Sequence, residues 1–571
     1  MKPRSTRTLI HRLHTIRNVY TRSSLQEKHD LIEELASRKI QKASELTQYH
    51  DVLCFLRAFP DNKIIYALIQ HQLDTFEQRI ERLTRKQKDL LHDNGIVGTF
   101  VYNEFSFPVA RWLVKRHPQQ IEYDWKNFDN PDSLDALLVH TITHAEEQTF
   151  NYGEITSREW IAQAKGMQNA TDATWCIRQF DRSSLTNELK ADTFNDIEIP
   201  FVWNLSRSRS SITKNTFPIA RTACRNTPFR SAPSDVAREI VNPLPGIKLL
   251  PAKQARTMID VAIAMLAVRQ REILSFNYAN VKEIYYASVG QGISVAVIGN
   301  QPTQRLFLEG NYGFLILSNG VPIGYGGVSP LFHQANTGIN IFEQYRGSEA
   351  AYLFTQTLRV FHTLFGCTRF IVDPYQFGSD NAEAISSGAF WFYYKLGFRP
   401  VDPKIAALAQ RERGKIKRSK SYRSPAGVLK QLAQCDLHIT LPGARMDQYF
   451  PEKWLGTCAE GVTRSIAAQH QPLRSDAIKH IVRDVSQRLQ VKNRGRWPRN
   501  ERRAFEQFAL VVNLLDDVDR WSVVDKRHLV KLMRAKGKDQ QFGYIKCMTQ
   551  HERFRKSLSR FCKKNHASRN V

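Results

Sequence analysis

The chain has 571 residues, 42% hydrophobic and 24% charged, a globular composition with length for about three to four domains. Its 82 Lys+Arg against 55 Asp+Glu give a net charge of +27 and a pI near 9.8, a field that draws polyanions and favours phosphate-rich ligands. Eight scattered cysteines with no C-x-x-C pair exclude a disulfide framework and a Cys-pair zinc site, and the most apolar run, Met258–Val268, falls far short of the ~20 residues a membrane span needs; a cytoplasmic chain without a transmembrane helix is expected.

Residues 1–26 carry Arg4, Arg7, Arg12, Arg17 and Arg22, no acid, and apolar residues at Leu9, Leu13, Ile16 and Val19. That pattern fits an organellar transit peptide, a basic arm for nucleic acid, or simply the first basic helix of the body. From Glu27 to about His92 the spacing predicts two amphipathic helices broken at Phe59-Pro60-Asp61-Asn62, the second stopped by Asn94-Gly95, so residues 1–95 form a basic arm plus helical hairpin. Residues 96–245 are a mixed region. Val97–Trp112 is rich in aromatics, and Leu134–Phe150 reads as a helix whose His140 and His144, four apart, could share a metal. The H-E-x-x-H order and a third ligand are absent, so a structural pair is the expectation. Asn204–Pro233 holds Arg207, Arg209, Lys214, Arg221, Arg225 and Arg230 among Ser, Thr and Pro, which reads as a basic linker or exposed loop.

Residues 250–403 are read as the central α/β domain, a mixed sheet flanked by helices. A helix is predicted over 252–275, then strands at Glu283–Val289 and Ile293–Ile298. Phe314–Leu317 and Val321–Val328 meet around Ser318-Asn319-Gly320 as a hairpin, and Thr337–Phe342 follows as a third strand. The loop Gln344-Tyr345-Arg346-Gly347-Ser348 then opens a helix with Ala350, Phe354, Leu358, Phe361 and Phe365 on one face. Thr368–Val372 is a β-branched strand ended by Pro374, and an aromatic helix over Phe390–Tyr394 leads into Gly397-Phe398. A loop that delivers a helix N-terminus directs unpaired N–H groups outward and suits a diphosphate.

At three places the chain resembles the GNAT superfamily of acyl-CoA-dependent N-acyltransferases: the Tyr345-Arg346-Gly347 loop, the Gly-containing strand Val321–Val328 before it, and Tyr393-Tyr394-Lys395-Leu396-Gly397-Phe398. The resemblance covers roughly a quarter of the chain. It implies acetyl-CoA or another acyl-CoA as co-substrate, bound by Tyr345, Arg346, Gly347, Ser348, Glu349, Gly326 and Val328, and transfer of the acyl group to an amine by direct attack. It selects Tyr393, four residues before Gly397, as the acid for the leaving thiolate, with Tyr394 as fallback; a tyrosine is a neutral donor with a pKa near 10. Both also fit simple aromatic packing. Asp373, Glu343 and Glu309 are base candidates, Asp373 favoured because it ends a strand where α/β sites form. The chain departs from the pattern at Glu349, where a small residue is usual: that carboxylate either points away and pairs with Arg346, or weakens CoA binding. Ser386 replaces the usual Asn, with Asn381 further upstream.

Residues 404–454 form a basic extension with Lys404, Arg411, Arg413, Lys415, Lys417, Arg418, Lys420 and Arg423 against Glu412, and 455–571 read as a helical basic region. Trp497, within Lys492–Arg499, is a candidate base-stacking residue. Two functions are therefore open: an N-acetyltransferase-like enzyme acting on an amine of unknown class, or a non-catalytic adaptor on a degenerate GNAT-like scaffold that binds nucleic acid, another polyanion or protein through its basic surfaces.

Overall fold

The structure, a computed structural model, describes residues 5–148, 155–419 and 421–567. The expected class holds: a mixed α/β centre with helices at both ends. Among the described residues no helix is long and apolar enough to cross a membrane.

Ser5 Oγ accepts the Thr8 N–H and starts the helix Thr6–Ile16, which buries Leu9, Ile10, Leu13 and Ile16. Its arginines stay outside, Arg12 pairing with Glu27 at 2.6 Å. The basic arm is thus, in the structure, the first helix of the body; Val19, expected on the apolar face, is exposed. The predicted break is real, since Ala43–Ala58 stops at Phe59 and Asn62 Oδ1 caps Lys63–Asp74 through the Ile65 N–H. Three further breaks were not expected, one of them at Arg82–Thr84 before the helix Arg85–Asp89. Arg38 turns extended after the helix Arg22–Ser37, and the Thr75 hydroxyl bonds back to the His71 carbonyl where the next helix, Phe76–Glu81, begins.

In the mixed region β1 (Phe100–Glu104), β2 (Ile121–Tyr123) and β3 (Pro200–Asn204) form an antiparallel sheet with β3 in the middle. The helix expected over Leu134–Phe150 is instead short turns, Pro131–Leu134, Asp135–Leu138 and His144–Glu146; Phe150 lies outside the described residues. His140 and His144 therefore share no helix face. His144 pairs with Glu147, and no cluster that could hold a metal is found among the described residues.

The segment expected to be an exposed linker is partly buried. Ile212, Phe217 and Arg225 are buried, the Phe217 N–H bonds to the Gly320 carbonyl, and the Arg225 N–H bonds to that of Pro60. Its charges hid this role, because Arg225 is neutralised by Glu349 and Arg230 reaches the Tyr352 hydroxyl, while Arg207, Arg209 and Arg221 stay exposed as expected.

The central sheet runs through β4 (Lys248–Leu249), β5 (Ala279–Gly290), β6 (Ile293–Asn300), β7 (Tyr312–Ser318), β8 (Val321–Leu331) and β9 (Gln334–Thr337), all antiparallel to their neighbours. The expected hairpin is β7–β8. The expected third strand is divided, as β9 and the short β10 (Asn340–Ile341) both pair with β8. The chain then crosses through the helix Ala350–Phe365, which packs Phe354, Leu358, Phe361 and Phe365 inward, and returns as β11 (Arg369–Val372), parallel to β9. The aromatic helix is split at Gly388 into Ala382–Ser387 and Ala389–Lys395 before β12 (Arg399–Pro400). Beyond the basic helix Pro403–Arg418, β13 (Leu437–Thr440) inserts between β11 and β12, so the sheet draws on the segment read as linker and extension.

The C-terminal region is helical, as expected. It docks through Glu283 of β5, a fully buried carboxylate that accepts the Gln541 and Phe542 N–H groups at 2.8 Å and the Tyr312 hydroxyl at 2.9 Å, with Arg305 at 3.6 Å. Trp497 is half-buried, with the Arg534 guanidinium over its ring and Phe505 at 83° to it.

Candidate functional site

The site begins where two parallel strands part. β9 and β11 stay in register through three pairs, ending at Asn336 and Ile371. Beyond them Thr337 pairs back with Val328 and Asn340 with Tyr325, whereas Val372 pairs with Leu437 of β13. Each strand is claimed by its outer neighbour, and a cavity of about 700 Å³ opens between them, lined among others by Arg271, Tyr325, Gly326, Thr337, Gly338 and Asp373.

Two glycines set its inner wall. A side chain at Gly326 would lie 2.3 Å from the Gly338 carbonyl, and one at Gly338 would collide with the Gln376 amide. Gly338-Ile339 steps out of the ladder between β9 and β10, opposite Gly326-Gly327, and the register with β8 is the same on either side. The freed Ile339 N–H points to the Tyr393 hydroxyl at 3.5 Å. Tyr393 itself is buried among Phe354, Phe377 and Phe398, and burial pushes its hydroxyl up to about 12. It stays protonated, and so able to donate, at neutral pH.

Asp373 lines the same cavity at the end of β11, where Oδ1 accepts the Tyr375 N–H at 2.8 Å. A second carboxylate group lies close by: burial pushes Asp436 up to about 6, the charges of Glu452 and Asp373 adding to it. At the mouth, Glu383 lines the cavity and pairs with Arg346 of the loop at 2.5 Å. Arg271 Nη1 donates to the Tyr325 hydroxyl across the opposite wall.

The loop before the central helix is built as a small cradle. Gly347 adopts φ +85° and leaves its flank open to Arg17, whose Nη2 reaches the Arg346 carbonyl at 3.3 Å while the guanidinium lies over the Phe55 ring. Ser348 Oγ is shielded from solvent and has no hydrogen-bond partner among the described residues. Glu349 points away, as one of its two expected orientations requires, but its partner is Arg225 rather than Arg346. The two meet at 2.5 Å with side chains 0% and 4% exposed, and Glu349 also accepts the Arg230 N–H at 3.0 Å. No carboxylate enters the cradle from position 349. The residues present fit an anionic phosphate group: an open glycine flank, an unused hydroxyl, an adjacent guanidinium and the first N–H groups of a helix.

Of the residues expected from the sequence, the fold places Gly326 and Asp373 in the cavity wall and Arg346, through Glu383, at its mouth, while Tyr393 is buried behind the wall and meets it through the Ile339 N–H. Others it places elsewhere. Tyr394 is buried beneath the guanidinium groups of Arg399 and Arg413, Val328 sits in the β8 ladder against Thr337, and the Tyr345 hydroxyl points into the core without a partner. Glu343 is exposed on the turn before Arg346, and Glu309 lies by Lys536 of the C-terminal region, its carboxyl raised by burial to about 7. Arg271, Tyr325, Gln376 and Glu383 were not expected; only the glycine-rich run Gly324–Gly327 hinted at close backbone approach near them. No protein-family model, curated protein or solved structure matches this chain.

Proposed function

We propose that the protein is an acyltransferase that moves an acetyl or other acyl group from acyl-CoA to an amine by direct attack. One observation carries the reading: the buried Tyr393 hydroxyl accepts the Ile339 N–H at 3.5 Å beside the gap where β9 and β11 part, near the cradle that starts the central helix. The cradle of Arg17, Gly347, Ser348 and the helix N–H groups would hold the diphosphate, with Arg346 at its rim. Bound acyl-CoA supplies the activated thioester.

The protein's own groups do the rest. The Ile339 N–H, held by the strand on either side, is a preorganised donor for a carbonyl oxygen. Tyr393 holds its proton at neutral pH and can release it to a departing thiolate. Asp373, fixed by its bond to the Tyr375 N–H, is the carboxylate placed to take a proton from the incoming ammonium, directly or through water. The acidic surroundings of Asp373, Glu383 and Glu452 favour a cationic acceptor.

The test is calorimetric titration with acetyl-CoA, followed by release of free CoA thiol in the presence of a panel of primary amines. Tyr393→Phe should leave acetyl-CoA affinity within about twofold and lower kcat by 10²-fold or more, the usual contribution of a general acid. Binding of polyanions with no detectable acetyl-CoA affinity would favour the adaptor instead.

A further inference from the structure

The basic helix Pro403–Arg418 is a separate feature, and it stands whether or not the chain transfers acyl groups. Asp402 caps it through the Lys404 and Ile405 N–H groups, and it buries only Ala409 and Glu412. Glu412 is its only acid. The carboxylate is turned inward and accepts Lys415 Nζ at 2.7 Å, the Tyr422 hydroxyl at 2.8 Å and the Ser424 hydroxyl at 3.0 Å. Arg413 also faces the body, over the Tyr394 ring.

At about 100° per residue, Lys404, Arg411, Lys415 and Arg418 fall within a stripe about 60° wide, opposite Ala409 and Arg413. All four are exposed, and beside them on this face lie the small Ala407 and Gly414 and the half-buried Leu408, which packs towards the body. Along the axis the four cations stand at steps of about 10, 6 and 4.5 Å. Like charges three and four residues apart on a helix repel one another, and of the four only Lys415 meets a carboxylate of the helix, that of Glu412 at 2.7 Å. For Lys404, Arg411 and Arg418 an external anion would supply the countercharge.

We propose that this stripe is a docking surface for a nucleic acid strand, gripped through its phosphates. A row of cations flanked by small or half-buried residues suits a polymer bearing a charge at every step, whose backbone can lie close to the helix. A bilayer fits poorly, since no large apolar side chain of this helix is exposed to insert into lipid.

The experiment compares the full-length protein with two triple variants, K404Q/R411Q/R418Q on the stripe and R82Q/R85Q/K86Q on the exposed far end of the N-terminal helices. Fluorescein-labelled 20-nucleotide single strands of RNA and DNA are titrated at several NaCl concentrations. The stripe variant should reduce the slope of log K against log salt by about 2, at ~0.7 per lost phosphate contact, and weaken binding about 100-fold near 0.1 M NaCl. The control should bind within about threefold of wild type. Equal losses in both variants would reduce the effect to net charge and overturn the proposal, as would full binding by the stripe variant. Stripe-dependent binding to phosphatidylserine vesicles without binding to either oligonucleotide would overturn it too. Photocrosslinking of the wild type to 4-thiouridine RNA gives an answer independent of the variants: adducts should map to peptides within 403–423, and adducts confined to other segments refute the assignment.

Discussion

The pair Arg225–Glu349 offers the sharpest test of how the central helix is held. Glu349→Ala leaves the Arg225 guanidinium buried, only 6% exposed as a residue, with its ion-pair partner gone and the Arg230 N–H without its acceptor. Removing one member of a buried, hydrogen-bonded pair costs about 3–5 kcal/mol. For a cooperative unit of 150–250 residues, at about 2–4 °C per kcal/mol, Tm should fall by roughly 6–20 °C. Arg346→Ala is the contrast, because the Arg346–Glu383 pair is 53% and 60% exposed and such pairs contribute about 0–1 kcal/mol. Thermal unfolding followed by circular dichroism, with acetyl-CoA titrations on the same samples, separates the two. Glu349→Ala should lose stability first and affinity as a consequence, and Arg346→Ala should lose affinity at nearly unchanged Tm. The double variant Arg225→Met/Glu349→Leu should recover much of the lost Tm by replacing the pair with apolar packing. A Glu349→Ala protein that melts within about 2 °C of wild type would refute the reasoning, and would restore the view of Glu349 as a loop carboxylate facing the ligand.

Other expectations follow from the same geometry. Tyr394→Phe should keep kcat within about twofold where Tyr393→Phe loses it, since Tyr394 packs under Arg399 and Arg413 away from the cavity; equal losses in steady-state kinetics would reject the assignment. Asp436 has a folded pKa of about 6, above the ordinary 3.8, so the native state binds more protons between these values and its stability falls as pH rises through that window. Asp436→Asn should therefore raise Tm above pH 6 and leave it unchanged below pH 4, and a gain that appears only in acid would contradict the sign. Glu283→Ala strips an acceptor from two backbone N–H groups and the Tyr312 hydroxyl, and should cost roughly 2–5 kcal/mol in urea unfolding. In hydrogen exchange, Gln541–Gln550 should lose protection in that variant before the central strands do; uniform loss would show that the docking contact is not where the cost falls.

Local pattern was enough for much of the architecture. The β7–β8 hairpin, the central helix with its phenylalanine face, the break at Phe59–Asn62 and the helical C-terminal region were all legible, because turn residues and the periods 2 and 3.6 are written within a few neighbouring positions. Tyr393 and Asp373 were singled out by short offsets from Gly397 and Pro374, and their roles belong to the proposal. What no stretch of neighbours encodes is the partner of a charge or a strand edge. Glu349 looked like a misplaced carboxylate until Arg225, 124 residues earlier, neutralised it, and Arg17 reached the same loop across 329 residues. The parting of β9 and β11 arose from competition, each strand pairing outward with β8 or β13, and β13 lay in a segment whose basic flank made it read as linker. Residue types and local periods determined which elements form; long-range pairing of buried charges and strand edges decided where the cavity opens and which side chains face it.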